Sequence, residues 1–249
     1  MAEEIRGRDL AGAQVRESTF NGASFRESDL RGATVRASWV EGIRIDGLHG
    51  AVEQVFVNGI DVSPYVTGEL DRLFPERVAV RSMSTAADRV EVWARLEGLW
   101  EETLERGAAV RDVGVDGEWS LSETVRHLVF ADDCWTGQML LGGEPFHPWG
   151  LPTADYPADR VADDLGIDVS VPVPHDELVA LHRERRARFA VLLAGLTDDD
   201  LGSTRSGAPA PAWGEETHSV ARCVDTVIRE HSEHRRYVER DLATLLEQV

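Results

Sequence analysis

The first 50 residues carry a five-residue repeat, and this period limits the fold more strongly than any other feature of the chain. Glycine recurs every ten residues at Gly12, Gly22, Gly32 and Gly42. A period of five matches neither the helical 3.6 nor the strand's two. It suits a square coil in which a large side chain fills the axis and stacked coils pair their backbones. A large apolar residue stands at every fifth position: Ile5, Leu10, Val15, Phe20, Phe25, Leu30, Val35, Val40 and Ile45.

The blocks NGASFRESDL and RGATV resemble the pentapeptide-repeat family. The resemblance implies that residues 1–50 form a right-handed quadrilateral β-helix of about two coils. Residues 51–83 are predicted to bridge and to cap the open end of that coil, because an unpaired edge needs covering. Within the bridge, Asn58–Gly59 signals a turn after a strand-like run, and a short helix is expected to end before Pro75.

From residue 84 onward the apolar spacing becomes helical, with helices predicted over 86–107, 120–141, 176–197 and 219–246. Ser120 and Glu123 form a capping-box pattern at the start of the second helix. A Gly- and Pro-rich segment follows that helix, and long loops of this kind are often functional. Residues 84–249 therefore predict a four-helix bundle with one long crossover. The predicted fold class is α+β, with a short β-helix followed by the bundle.

The fourth helix places two polar residues inside its apolar stripe. Glu230 and His234 are one turn apart on the face of Cys223 and Val227. Burying them without a partner is costly, and facing helices of bundles often bind a metal with such groups. His127 on the second helix has small neighbours on its row and completes a set of two histidines and one carboxylate, which is typical of catalytic metal sites.

Alternatives remain open at this point. His231 is a substitute for Glu230 as a ligand. Glu230 could instead pair with an arginine. His127 could instead be a core histidine whose hydrogen bonds are satisfied. Three further residues are candidates for a supporting or lid role: Asp133, Cys134 and His147. Asp133 would orient His127, and His147 would lie over the bundle mouth, whereas Cys134 also fits a small buried hydrophobe.

The segments GEWSLSETVRHLVFADDCW and VIREHSEHRRYVERDL resemble the DinB-like four-helix bundle superfamily, in its actinobacterial branch with an N-terminal extension. The resemblance covers residues 85–249 and implies a triad that binds a divalent metal such as zinc, nickel or iron. His127 and His234 match two of its histidines, but position 230 is Glu, so Glu230 or His231 would replace the third. Members include thiol S-transferases, a maleylpyruvate isomerase and proteins without known activity. The fold alone therefore names no reaction.

The formal net charge of −19 bears on partners and location. Such acidity argues against nucleic acid and anionic lipid, which bind basic surfaces. The sequence shows no signal peptide or membrane span, and its two cysteines suggest a reducing compartment, so we expect a cytoplasmic protein. The expected partner is a small-molecule substrate, with a low-molecular-weight thiol as one candidate. The sequence does not determine the oligomeric state, and a dimer is one of the alternatives.

Two other functions compete with a metal-dependent transferase or hydrolase. In the first, the repeat segment is the docking face of a non-enzymatic scaffold. Mimicry of duplex DNA fits this scaffold poorly, because residues 1–50 carry seven arginines and eight acidic residues and are almost neutral. In the second, the bundle is a decayed enzyme that has lost a metal ligand and persists as a folded scaffold.

Overall fold

The computed structural model describes residues 5, 7–15, 17–26, 28–45, 47 and 53–247. The chain divides into two units, Met1–Ile45 and Asp46–Val249. The domain boundary predicted between residues 50 and 51 lies outside the described residues.

The predicted β-helix is wrong. None of the described residues of the first unit lies in a strand, and its apolar side chains are 50% to 66% exposed at every fifth position from Ile5 to Ile45. The ten-residue period instead produces turns. In each of the first three turns, the glycine has a φ near +74°. The N–H of the next residue donates a hydrogen bond to the carbonyl three residues earlier, as from Ala13 to Leu10 at 3.0 Å. Glycine at the third position suits a type II turn. Without a filled axis or paired backbones, the pattern does not close into coils.

The segment after residue 53 forms a hairpin and two short helices. Strands β1 (Phe56–Val57) and β2 (Ile60–Asp61) pair antiparallel around Asn58–Gly59. Both turn residues have positive φ, as a type I′ hairpin requires. Helix α1 (Ser63–Leu73) ends before Pro75, and α2 (Glu76–Ser82) follows.

Helix α2 packs on the bundle rather than capping a coil. Arg77 Nη1 lies 2.6 Å from Glu233 Oε1, and Arg235 Nη1 lies 2.7 Å from Glu76 Oε1. Both pairs join α2 to the last helix of the chain. Residues 76–82 are therefore part of the helical unit.

Four long helices form the bundle: α3 (Ala86–Gly107), α4 (Leu121–Asp132), α5 (His175–Ala194) and α7 (Val220–Leu246). The capping box of Ser120 and Glu123 is formed. The helix predicted to reach residue 141 changes character at Asp133, because Asp133–Leu140 is π-helical. Such segments are rare and frequently lie at functional sites.

Two buried apolar clusters fill the bundle. One surrounds Trp93 and Phe189, and the other surrounds Trp100 and Leu128. A third cluster, including Phe130, Tyr156 and Ile167, lies beneath the crossover between α4 and α5. The crossover therefore has its own packed core, although its one regular element among the described residues is a π-helical turn at Val161–Leu165.

The sequence interpretation missed the elements between α5 and α7. Helix α6 (Asp198–Gly202) precedes β3 (Thr204–Gly207), which pairs antiparallel with β4 (Glu216–Ser219). A 3₁₀ turn at Pro211–Trp213 joins these strands. No helix in the described part of the chain is both long and apolar enough to cross a membrane.

Candidate metal centre

His127, Glu230 and His234 meet between helices α4 and α7. Each side chain offers a potential ligand atom, and these atoms lie within 4.8 Å of one another. His127 Nε2 is 3.7 Å from Glu230 Oε2, and His234 Nδ1 is 3.2 Å from the same oxygen. The one-turn spacing on α7 places Glu230 beside His234, and α4 presents His127 from the opposite helix.

The crossover fixes the orientation of His127. Its Nδ1 lies 3.1 Å from the carbonyl oxygen of Leu151, which can only accept a hydrogen bond. The Nδ1 atom therefore carries the proton, and Nε2 presents its lone pair towards Glu230. Trp119 lies alongside, with its ring centroid 4.7 Å from that of His127 and 6.3 Å from that of His234.

The protonation states favour an uncharged imidazole beside a charged carboxylate. Burial lowers the pKa of His127, which keeps the ring neutral at pH 7. Burial alone would raise the pKa of Glu230, but its interactions with the His127 and His234 imidazoles hold that pKa well below its usual value. The Glu230 carboxylate is thus ionised.

This arrangement suits a cation. The Nε2 atom of His127 faces the ionised Glu230 carboxylate at 3.7 Å, so a cation between them would bind a nitrogen and an oxygen at once. His234 Nδ1 lies 3.0 Å from the Glu230 carbonyl oxygen and 3.2 Å from Glu230 Oε2. Two imidazoles and one carboxylate are a donor set that zinc, nickel and iron(II) accept in proteins.

His231 lies apart from this group. It is fully buried, and its Nε2 is 3.0 Å from Asp132 Oδ1. Its ring stacks on His182, with centroids 5.3 Å apart. The substitute ligand considered from the sequence is therefore engaged in a separate polar pair in the core.

The three candidates for a supporting role lie near α4 but do not contact His127 through hydrogen bonds. Asp133 Oδ2 accepts the backbone N–H of His147 at 2.7 Å, and its Oδ1 lies 3.0 Å from Arg185 Nε. Cys134 is buried, and burial raises its thiol pKa well above the ordinary value. Asp133 thus holds the crossover, and Cys134 has the environment of a small core residue.

Sequence reasoning missed two partners of the centre. Trp119 had a recognisable signal, because it directly precedes the N-cap of the helix that carries His127. The Leu151 carbonyl had none, because a backbone oxygen has no signature in the side-chain pattern.

A profile of the DinB superfamily matches residues 86–238, which include all three side chains of the centre. No curated protein matches the chain, and no solved structure matches it. Since the profile spans more than half of the sequence, the chain belongs to the DinB superfamily.

Proposed function

We propose that this protein is a metal-dependent enzyme acting on a small molecule, with a divalent cation held by His127, Glu230 and His234. The observation that carries the proposal is that the potential ligand atoms of His127, Glu230 and His234 lie within 4.8 Å of one another, with His127 Nε2 3.7 Å from Glu230 Oε2. A cation placed between His127 and Glu230 would bind both side chains at once. Zinc, nickel and iron(II) are the metals that suit this set.

A divalent metal held by these three residues would lower the pKa of a bound water or thiol and so supply a nucleophile at neutral pH. The residues of this chain contribute binding and orientation. His127 is nearly enclosed, whereas the side chain of Glu230 is 20% exposed. The small molecule, for which a low-molecular-weight thiol is one candidate, therefore reaches the centre from the Glu230 side.

A metal-dependent transferase or hydrolase activity requires bound metal, and metal binding can be measured directly. The purified protein is incubated separately with zinc, nickel and iron(II), excess metal is removed, and bound metal is counted by mass spectrometry. We expect about one equivalent in the wild type and about a tenth or less in His127→Ala and His234→Ala. His175→Ala is the matched control, because His175 lies at the start of α5 and outside the triad.

Each outcome has a distinct meaning. Binding that is lost in the triad variants and kept in His175→Ala supports the proposal. A wild type that takes up none of the three metals contradicts it and favours the decayed enzyme. Equal binding in His127→Ala and the wild type contradicts the assignment of these ligands.

A docking module is the second candidate function, and the exposed apolar side chains of the first unit favour it. Phe20 and Phe25 are 55% and 61% exposed, and large exposed apolar patches are typical of interaction surfaces. The near-neutral segment permits a second copy of the chain as the partner. If so, sedimentation should show a dimer that the double variant Phe20→Ser/Phe25→Ser abolishes. A monomeric wild type at all concentrations would contradict docking between copies.

A further inference from the structure

Part of the crossover is hydrogen-bonded directly to helix α4. We call residues 147–151 the clamp segment. At its start, the backbone N–H of His147 donates to Asp133 Oδ2 at 2.7 Å. At its end, the Leu151 N–H donates to the Arg126 carbonyl at 3.1 Å, and the Leu151 carbonyl accepts from His127 Nδ1 at the same distance. The clamp segment is thus attached at both ends, to Asp133 at its start and to Arg126 and His127 at its end.

Arg126 supplies the side-chain bonds in the middle of this attachment. Its Nε donates to the Trp149 carbonyl at 3.0 Å, and its Nη1 and Nη2 lie 3.3 Å and 3.4 Å from the Val169 carbonyl. One guanidinium therefore joins two parts of the crossover that are 20 residues apart. The planar fork of arginine suits this geometry, whereas lysine offers a single point of donation.

The clamp segment determines which nitrogen of His127 is available. While the Leu151 carbonyl accepts from Nδ1, the proton stays on Nδ1 and the Nε2 lone pair faces Glu230. If the clamp segment moved away, Nδ1 would lose its acceptor and the proton could shift to Nε2. A hydrogen-bond partner of this kind typically changes metal affinity by about 10- to 100-fold.

We propose that Arg126 is a positioning residue for metal binding, because it holds the clamp segment so that the Leu151 carbonyl keeps His127 Nε2 free for the cation. This inference rests on the proposed function. It also predicts a change in metal affinity opposite in direction to the change expected from charge repulsion alone. A positive charge near the centre repels a cation, so loss of charge alone would strengthen metal binding, whereas loss of positioning weakens it.

The test uses Arg126→Met, which keeps an unbranched chain but loses all donors. Arg183→Met is the matched control, because Arg183 is exposed on α5 and pairs with Glu101. Zinc affinity is measured by competition with a chelator. We expect Arg126→Met to bind zinc about 10- to 100-fold more weakly, Arg183→Met to match the wild type, and Arg126→Lys to fall between. A thermal melt of each metal-free variant verifies folding.

A second readout does not depend on metal. Nitrogen-15 NMR of the metal-free protein distinguishes the two neutral tautomers of a histidine ring. We expect the Nδ1–H form of His127 in the wild type and in Arg183→Met, and a mixture of both forms in Arg126→Met. A loss of stability alone would leave the tautomer of the folded population unchanged.

The outcomes separate this inference from the proposed function. If the wild type binds no metal, the proposed function fails, and the tautomer measurement still decides the positioning of His127. If the wild type binds zinc and Arg126→Met has the same affinity and tautomer, the positioning role is wrong. Tighter binding in Arg126→Met would mean that Arg126 acts through its charge, and would also overturn the inference.

Discussion

The imidazole rings of His182 and His231 lie face to face in the bundle core, with centroids 5.3 Å apart and planes inclined by 6°. Both residues are fully buried, and the Trp100 ring is nearly perpendicular to that of His182, with centroids 5.2 Å apart. His231 is paired with Asp132. Neither ring nitrogen of His182 has a hydrogen-bond partner among the described residues. His182 therefore contributes through its shape, while its polar atoms oppose folding.

Replacing His182 with phenylalanine should leave the free energy of unfolding at pH 7.5 unchanged or raise it by about 1 to 3 kcal/mol, because an unpaired buried polar group is removed. Burial holds the pKa of His182 well below its ordinary value, so the unfolded chain binds the proton more readily. Wild-type stability is then lost as the pH falls below about 6.5. Urea unfolding at pH 7.5 and 5.5 should show that the wild type loses more free energy of unfolding on acidification than His182→Phe does.

His231→Phe is the matched control for that measurement. It removes the partner of Asp132 Oδ1 and leaves a buried carboxylate without its hydrogen bond. We expect this variant to lose about 3 to 5 kcal/mol. Equal losses for His182→Phe and His231→Phe would contradict the different roles assigned to the two rings.

The bundle and the three side chains of the centre could be predicted because their signals are local. A helix reveals its buried face through its apolar spacing, and Glu230 and His234 interrupt that spacing on α7. His127 needed a further step, since its neighbours share a row but no sequence rule pairs α4 with α7. Its small neighbours indicated space for a ligand, and the resemblance to a family then supported the pairing.

The other elements could not be predicted, for two physical reasons. The apolar period of the first unit specifies the spacing of its side chains but does not determine whether the chain closes into coils. The chain instead turns at Gly12 and Gly22, and Phe20 and Phe25 are exposed. The attachment of the crossover depends on backbone carbonyls such as that of Leu151, whose partners are set by tertiary packing. Every residue has a carbonyl, so no side-chain pattern marks this one.

The junction between α2 and the bundle should be sensitive to Arg235. Its guanidinium is buried with Glu76 at 2.7 Å, and its Nε donates to Thr103 Oγ1 at 3.1 Å. Arg235→Met leaves the Glu76 carboxylate buried without its cation, and we expect a loss of about 3 to 5 kcal/mol in the free energy of unfolding. Chemical denaturation of the metal-free protein measures this loss.

The double variant Arg235→Met/Glu76→Gln tests whether the loss arises from the orphaned charge. With the carboxylate neutralised, about half or more of the lost free energy should return. If the double variant is no more stable than Arg235→Met, the loss comes from packing and not from the ion pair.

Trp119 should report metal binding by its fluorescence. Its indole lies 4.7 Å from the His127 ring, whereas Trp93 and Trp100 are buried in the apolar clusters. Nickel quenches an indole at short range, so titration of the wild type should lower its emission until the site is filled. Trp119→Phe should bind nickel with an affinity within about threefold of the wild type and lose most of the quenching. Full quenching in Trp119→Phe would place the metal elsewhere.

Asp133 should make stability fall as the pH rises. Burial raises its pKa to about 6, although the His147 N–H and Arg185 oppose that shift. The unfolded pKa is about 3.9, so the folded state binds the extra proton between these values. The stabilisation is complete below about pH 4 and is lost as the pH rises through 6. Asp133→Asn does not titrate and retains an oxygen for the His147 N–H, so it should gain about 2 kcal/mol relative to the wild type between pH 4.5 and 7.5.

Asp168→Asn is the control for the direction in which stability changes with pH. Asp168 also lies in the crossover, but hydrogen bonds from Ser170 lower its pKa. Its contribution is fully present above about pH 4 and is lost only as the pH falls below that value, so the stability of Asp168→Asn relative to the wild type should stay constant between pH 4.5 and 7.5. Urea midpoints at five pH values, with metal absent, measure both trends. A relative stability of Asp168→Asn that rises with pH over this range, or a relative stability of Asp133→Asn that stays constant, would show that burial of the Asp133 carboxylate does not cause the fall in stability with pH.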